Sequence, residues 1–127
     1  VKKVQVDIQL AKSLVKTAEY DMKFLDNVKI DDFSARKIMV GYYDTLRSII
    51  EAIATIDGYK AYSHEALVYF LKEKEADVMS EKFNRFRRIR NGISYYGKSI
   101  SSEEVEENKK EIKDMIKLLI KMFLKDV

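Results

Sequence analysis

The chain of 127 residues carries a formal net charge of +3 and is 46% hydrophobic and 35% charged, which excludes a disordered tail and allows one domain over residues 1–127. Cysteine is absent, which excludes disulfides and thiolate metal sites, and no apolar run approaches the roughly 20 residues of a membrane span. With no proline and only four glycines, the sequence favours long helices over turn-rich β folds.

The first two predicted helices are long. A first helix is predicted over Val4–Asp26, because apolar residues recur there at steps of three and four. Asp32 is expected to be the N-cap of the second helix, since its carboxylate can accept hydrogen bonds from the free N–H groups of the next turn. That helix is predicted to end at Ile56, because Gly58 follows and glycine is common just past a helix C-terminus.

Serines mark the starts of the remaining helices. Ser63 is predicted to cap a short third helix that frays near Glu75–Val78, and Ser80 to cap a fourth helix that ends at Gly97. Ser101 with a glutamate three residues later matches the capping-box pattern and opens the last helix. Because the connections are short, the sequence predicts an all-α fold, an up-and-down antiparallel bundle of about five helices, four long and one short.

Most charged residues have an ordinary structural explanation. His64 is the only histidine and cysteine is absent, so a zinc site lacks ligands. A Ser-His-Asp triad would have to use His64, but no nucleophile elbow precedes any serine, and we expect a surface or loop-packing role for this histidine. The adjacent acids Asp31-Asp32 and Glu103-Glu104 fit helix starts, where they complement the helix dipole. No glycine-rich phosphate loop occurs, and we expect no cofactor.

The segment Lys82–Asn91 stands apart because five cations fall within nine residues. On a helix its apolar side continues to residue 96, and it comprises Phe83, Phe86, Ile89, Ile93 and Tyr96. A polar strip flanks that side and comprises Arg87, Arg90, Asn91 and Ser94, whereas Arg85 and Arg88 are predicted to point elsewhere. Two interpretations stay open: a solvated face whose arginines pair with acids of the last helix, or a phosphate-binding face, since arginine binds phosphate bidentately.

Residues Arg90–Gly97 resemble the signature region of the HEPN domains, in which an arginine, often followed by asparagine, precedes a histidine by four to six residues. Other similar pieces occur in the family's order and cover nearly the whole chain: Ala35-Arg36, Tyr42-Tyr43, Ser63-His64 and Ser101–Glu107. The resemblance implies an up-and-down bundle that commonly dimerises and brings two motifs together in a cleft. Active members of the family are metal-independent ribonucleases, and many are toxins paired with a small nucleotidyltransferase.

The resemblance assigns roles to particular residues. It implies that Arg90 holds the scissile phosphate and that Asn91 supports its placement. The histidine position falls on Tyr95 or Tyr96, and tyrosine, with an ordinary pKa of about 10, is a poor base near neutral pH. We expect Tyr96 to pack in the core and the more exposed Tyr95 to contact RNA.

The expected catalytic residues are therefore Arg90, Asn91 and Tyr95, and the expected RNA- or nucleotide-binding residues are Arg87, Arg88, Arg90, Asn91, Ser94 and Tyr95. Three functions remain open: a HEPN-like homodimer that binds RNA or a nucleotide with weak or lost ribonuclease activity beside a nucleotidyltransferase, an active metal-independent endoribonuclease that uses tyrosine, and a purely structural bundle. Without a membrane span or a signal-peptide h-region, a cytoplasmic protein with no membrane partner is expected.

Overall fold

A computed structural model describes all residues 1–127 and contains five α-helices and one small pair of strands. The helices are α1 (Ile8–Asp26), α2 (Ala35–Ile56), α3 (His64–Glu73), α4 (Asp77–Tyr96) and α5 (Ser102–Phe123). Strand β1 (Lys2–Lys3) pairs antiparallel with β2 (Tyr59–Lys60). The predicted all-α bundle with four long helices and one short helix is confirmed. None of the five helices has the length and apolarity that crossing a membrane requires.

Helix α2 lies at the centre of the bundle and packs against each of the other four helices. Twelve of its 22 residues are buried, because its apolar positions cover a wide arc of the helix. Helix α1 runs antiparallel to it, with Leu25 packed directly over Gly41. A Cβ atom at Gly41 would lie 2.7 Å from Leu25 Cδ2, so glycine permits this close approach of the two helices.

The predicted start of the first helix is wrong by four residues. The chain before α1 forms β1 and continues to Val4, whose N–H donates to the Gly58 carbonyl at 2.7 Å. The helix then begins at Ile8, because the carboxylate of Asp7 accepts a hydrogen bond from the N–H of Leu10 at 2.9 Å. Pairing with residues distant in the sequence thus prevails over the apolar periodicity of the first residues.

Two predicted N-caps are also wrong. Asp32 is not the cap of α2: the preceding Asp31 accepts from two backbone N–H groups of the turn, and Ser34 occupies the cap position. Ser80 lies inside α4, where it is buried and donates from Oγ to the carbonyl of Val68 at 2.7 Å. This serine therefore ties α4 to α3 and does not begin a helix.

Five predicted helix ends are confirmed, including the ends of α1 at Asp26 and of α2 at Ile56. Ser63 Oγ caps α3 by accepting from a backbone N–H at 3.1 Å. Gly97 ends α4 with φ of +64°, in the left-handed region that favours glycine. Ser101 and Glu104 form the reciprocal capping box at the start of α5.

Candidate functional site

The arginines of α4 differ in their partners. Arg85 forms an ion pair with Glu111 of α5, as the interpretation of a solvated face predicts. Arg87, Arg88 and Arg90 have no carboxylate within 4.0 Å, so none of the three makes an ion pair. We call these three residues the arginine cluster. Its positive charge is not neutralised by direct contact with acids of the protein.

Arg90 lies between two aromatic rings. Its guanidinium carbon is 5.9 Å from the ring centroid of Tyr43 on α2 and 5.4 Å from that of Tyr95. Its hydrogen bonds leave from Nη1, which donates to Tyr95 Oη at 3.0 Å and more weakly to Asn91 Oδ1 at 3.5 Å. The Nε atom is buried without a partner. The side chain is thus held in place, and it keeps N–H groups that can donate to a ligand oxygen.

Tyr43 connects this arginine to the only histidine of the chain. The Tyr43 side chain is buried, stacks on Phe83 with ring centroids 5.4 Å apart, and places its hydroxyl oxygen 2.9 Å from His64 Nδ1. His64 is half-buried at the first position of α3. His64 therefore does more than the expected surface or loop packing, because it is hydrogen-bonded to Tyr43, the residue whose ring Arg90 covers.

Burial sets the protonation state of the phenol. It raises the pKa of Tyr43 far above the usual range, although the guanidinium groups of Arg47, Arg90 and Arg87 act in the opposite direction. The hydroxyl of Tyr43 accordingly stays protonated at neutral pH. It can donate to an imidazole nitrogen or accept from one.

The imidazole is shifted in the other direction. Burial lowers the pKa of His64 below its usual range, and the nearby charges of Arg47 and Arg90 lower it further. The carboxylates of Glu51 and Asp44 oppose this shift without cancelling it. His64 is therefore neutral at pH 7 in the free protein.

Arg47 belongs to the same neighbourhood but has acidic partners. Its Nη1 donates to Glu51 Oε1 at 2.9 Å, and its Nε lies 3.9 Å from a carboxylate oxygen of Asp44. Its charge is therefore largely balanced within α2, in contrast to that of Arg90.

Arg87 and Arg88 line a groove of about 330 Å³ between α3 and α4. Arg87 is fixed by Asn84, whose amide oxygen accepts from its Nε at 3.1 Å and from its Nη2 at 2.9 Å. Arg88, which was predicted to point away from the polar strip, lines the same groove as Arg87, whereas Arg90, Asn91 and Ser94 do not line it. Both signs of charge line this groove, because Glu65, Lys72, Asp77 and Glu81 also reach it.

The end of α4 departs from the predicted pattern. Tyr95 is 67% exposed, as expected, and Ser94 is exposed beside it. Tyr96 is 76% exposed, so its predicted place in the core is wrong. The N–H groups of Gly97 and Lys98 both donate to the carbonyl oxygen of Gly92, so the last turn is wider than a regular α-helical turn. The spacing of 3.6 residues per turn therefore does not describe it.

The structure thus brings together residues from three helices: Arg90, Asn91 and Tyr95 from α4, Tyr43 from α2 and His64 from α3. The sequence contains no signal that links Tyr43 to His64, because their contact spans 21 positions. Histidine, aspartate and glutamate side chains nowhere form a group of three or more that could hold a metal ion. Comparisons with models of protein families, with curated proteins and with solved structures find no match.

Proposed function

We propose that this protein is a HEPN-like RNA- or nucleotide-binding protein whose arginine cluster contacts phosphate groups, with weak or lost ribonuclease activity. The observation that carries the proposal is the contrast within α4: Arg85 is neutralised by an acid of α5, whereas the three residues of the cluster have no acidic partner. Unpaired guanidinium groups on one helix attract phosphate oxygens and bind them bidentately.

The surroundings of Arg90 support phosphate binding further. Its two hydrogen bonds within the protein both come from Nη1, so Nη2 can donate to a phosphate oxygen. The exposed rings of Tyr95 and Tyr96 lie on the same end of α4, where unpaired bases can stack on them. Single-stranded RNA combines both features, since it presents phosphates and unstacked bases.

Weak catalysis follows from the residue at the motif position. Tyr95 stands where the resemblance implies a histidine, and its hydroxyl oxygen accepts a hydrogen bond from Arg90. A tyrosine hydroxyl is a poor general base near neutral pH. General acid–base catalysis is typically worth about 10²–10⁴-fold, so its loss leaves binding with little turnover.

The proposal includes a homodimer and a small nucleotidyltransferase partner in the cytoplasm, in keeping with the HEPN resemblance. In such a dimer two clusters would share one bound RNA.

Binding of a labelled oligouridylate to the purified protein, followed by fluorescence anisotropy, tests the proposal. Arg90→Ala is expected to weaken binding at least tenfold, because it removes both the phosphate contact and the guanidinium group that stacks on the ring of Tyr95. Arg85→Ala is the matched control, since it removes an arginine from the same helix outside the cluster. Equal affinity of both variants and the wild type would contradict the proposal, provided that circular dichroism shows the variants folded.

A second candidate function is an active metal-independent endoribonuclease that uses Tyr95. It is favoured by one contact, the 3.0 Å hydrogen bond that places the guanidinium of Arg90 on the Tyr95 hydroxyl. Incubation of RNA with the protein in a metal chelator distinguishes the two candidates. Cleavage that both Arg90→Ala and Tyr95→Phe abolish would establish the second function, and binding without cleavage agrees with the first.

A further inference from the structure

His64 and Arg90 meet across one phenol ring, although they belong to different helices. The hydroxyl of Tyr43 bonds the imidazole at 2.9 Å, and the guanidinium of Arg90 covers the ring of the same residue. The imidazole has no second hydrogen-bond partner in the protein, so Nε2 is free to bond a ligand. Its position at the start of α3 adds the positive end of a ten-residue helix. The imidazole with its free Nε2, the guanidinium and the helix N-terminus all favour an anion, and the first two both contact Tyr43.

The charged groups around the imidazole come from two other helices. Helix α2 contributes Arg47, Asp44 and Glu51, and α4 contributes Arg90. The two acids of α2 already pair with Arg47, so Arg90 is the one cation among these four groups that has no acidic partner. In the free protein this charge and burial keep His64 neutral. A phosphate bound to Arg90 would offset that charge and add a negative charge of its own.

We propose that His64 is a second ligand of the phosphate held by Arg90 and that it takes up a proton when the phosphate binds. The inference rests on the proposed function and deepens it, because it identifies a phosphate site shared by α3 and α4 whose affinity depends on pH. A protonated imidazole donates from both nitrogens. Nδ1–H then donates to the Tyr43 hydroxyl oxygen, and Nε2–H donates to a phosphate oxygen.

Proton uptake on binding fixes the sign of the pH dependence. Binding raises the pKa of His64, which is low in the free protein. Between the free and the bound pKa the affinity falls as pH rises, by at most about tenfold per pH unit for one proton. Below the free pKa and above the bound pKa, His64 no longer makes the affinity vary with pH. Because the free pKa of His64 lies below the usual histidine value, the pH dependence begins on the acidic side of that value and extends up to the pKa of the complex.

The chain is well suited to a test, because His64 is its only histidine. We would measure the affinity of untagged protein for an oligouridylate without a terminal phosphate, between about pH 5 and pH 8, with a dye that does not titrate there. Internal phosphodiesters and uracil keep their charge in this range. A parallel series with uridine monophosphate shows whether the site takes a phosphodiester of a chain or a free nucleotide phosphate.

The wild type is expected to bind at least fivefold more tightly at the acidic end of the range, and His64→Gln is expected to lose that dependence while it still binds at the basic end. The single imidazole signal in the proton NMR spectrum should titrate at higher pH in the complex than in the free protein. An identical pH dependence in His64→Gln, or an unshifted imidazole titration, would overturn the inference alone. No binding to either probe at any pH would overturn the proposed function as well.

Discussion

Removal of the buried hydroxyl in Tyr43→Phe tests the centre of the site. The substitution keeps the ring that stacks on Phe83 and that Arg90 covers, but it deletes the hydrogen bond to His64. A typical hydrogen bond contributes about 0.5–1.5 kcal/mol, and the half-buried imidazole nitrogen that loses its partner adds to the cost. We expect the free energy of unfolding to fall by roughly 1–2 kcal/mol.

Thermal unfolding followed by circular dichroism measures this effect. For a domain of this size a change of 1 kcal/mol shifts the Tm by about 3–5 °C, so Tyr43→Phe should lower the Tm by roughly 3–10 °C. Tyr95→Phe is the matched control, because its hydroxyl is exposed and its loss should change stability by about 0.5 kcal/mol or less. An unchanged Tm in Tyr43→Phe, or an equal decrease in the control, would refute the assignment of a buried hydroxyl–imidazole bond.

Two further predictions concern the packing of α1 and α2. Burial acts to raise the pKa of Asp26, but hydrogen bonds from Lys113 and a tyrosine of α2 hold it below its usual value. The carboxylate therefore stabilises the protein above the unfolded pKa of about 4, and this stabilisation is lost as the pH falls through the lower folded pKa. Asp26→Asn should accordingly lower stability at pH 7 by an amount that shrinks as the pH falls below about 4, measured by urea unfolding across that range. Gly41→Ala should destabilise by about 1–3 kcal/mol because the new Cβ meets Leu25, whereas Gly92→Ala, whose Cβ would meet only a flexible lysine end, should be nearly neutral in the same assay. Equal effects of the two alanines would contradict the close approach of α1 and α2.

The helices themselves could be predicted because their signals are local. Apolar residues at helical spacing located all five, and Ser63, Gly97 and Ser101 marked helix ends where cap chemistry depends on neighbours within three or four positions. The identity of a cap residue alone does not separate a helix start from a helix interior. Ser80 shows this, since its partner is the carbonyl of Val68 on another helix.

The candidate site was only partly predictable for the same physical reason. Helical spacing places Arg90 and Asn91 on one polar strip, whereas Tyr95 is assigned from the HEPN resemblance and is joined to Arg90 by a hydrogen bond. The contact between Tyr43 and His64 depends on how α2 and α3 pack, and no spacing rule along the chain contains that information. The exposure of Tyr96 likewise depends on what packs against the end of α4, which the helical pattern of this segment does not contain.

The salt dependence of RNA affinity tests the central claim, phosphate binding by the arginine cluster, most directly. Each phosphate neutralised on a single strand contributes about −0.7 to the slope of log K against log salt concentration. With three arginines engaged we expect a slope of roughly −2, which should become shallower by about 0.7 when Arg90 is replaced by alanine and stay unchanged when Arg85 is replaced. A slope near zero in the wild type, or an equal change in the two variants, would contradict the account.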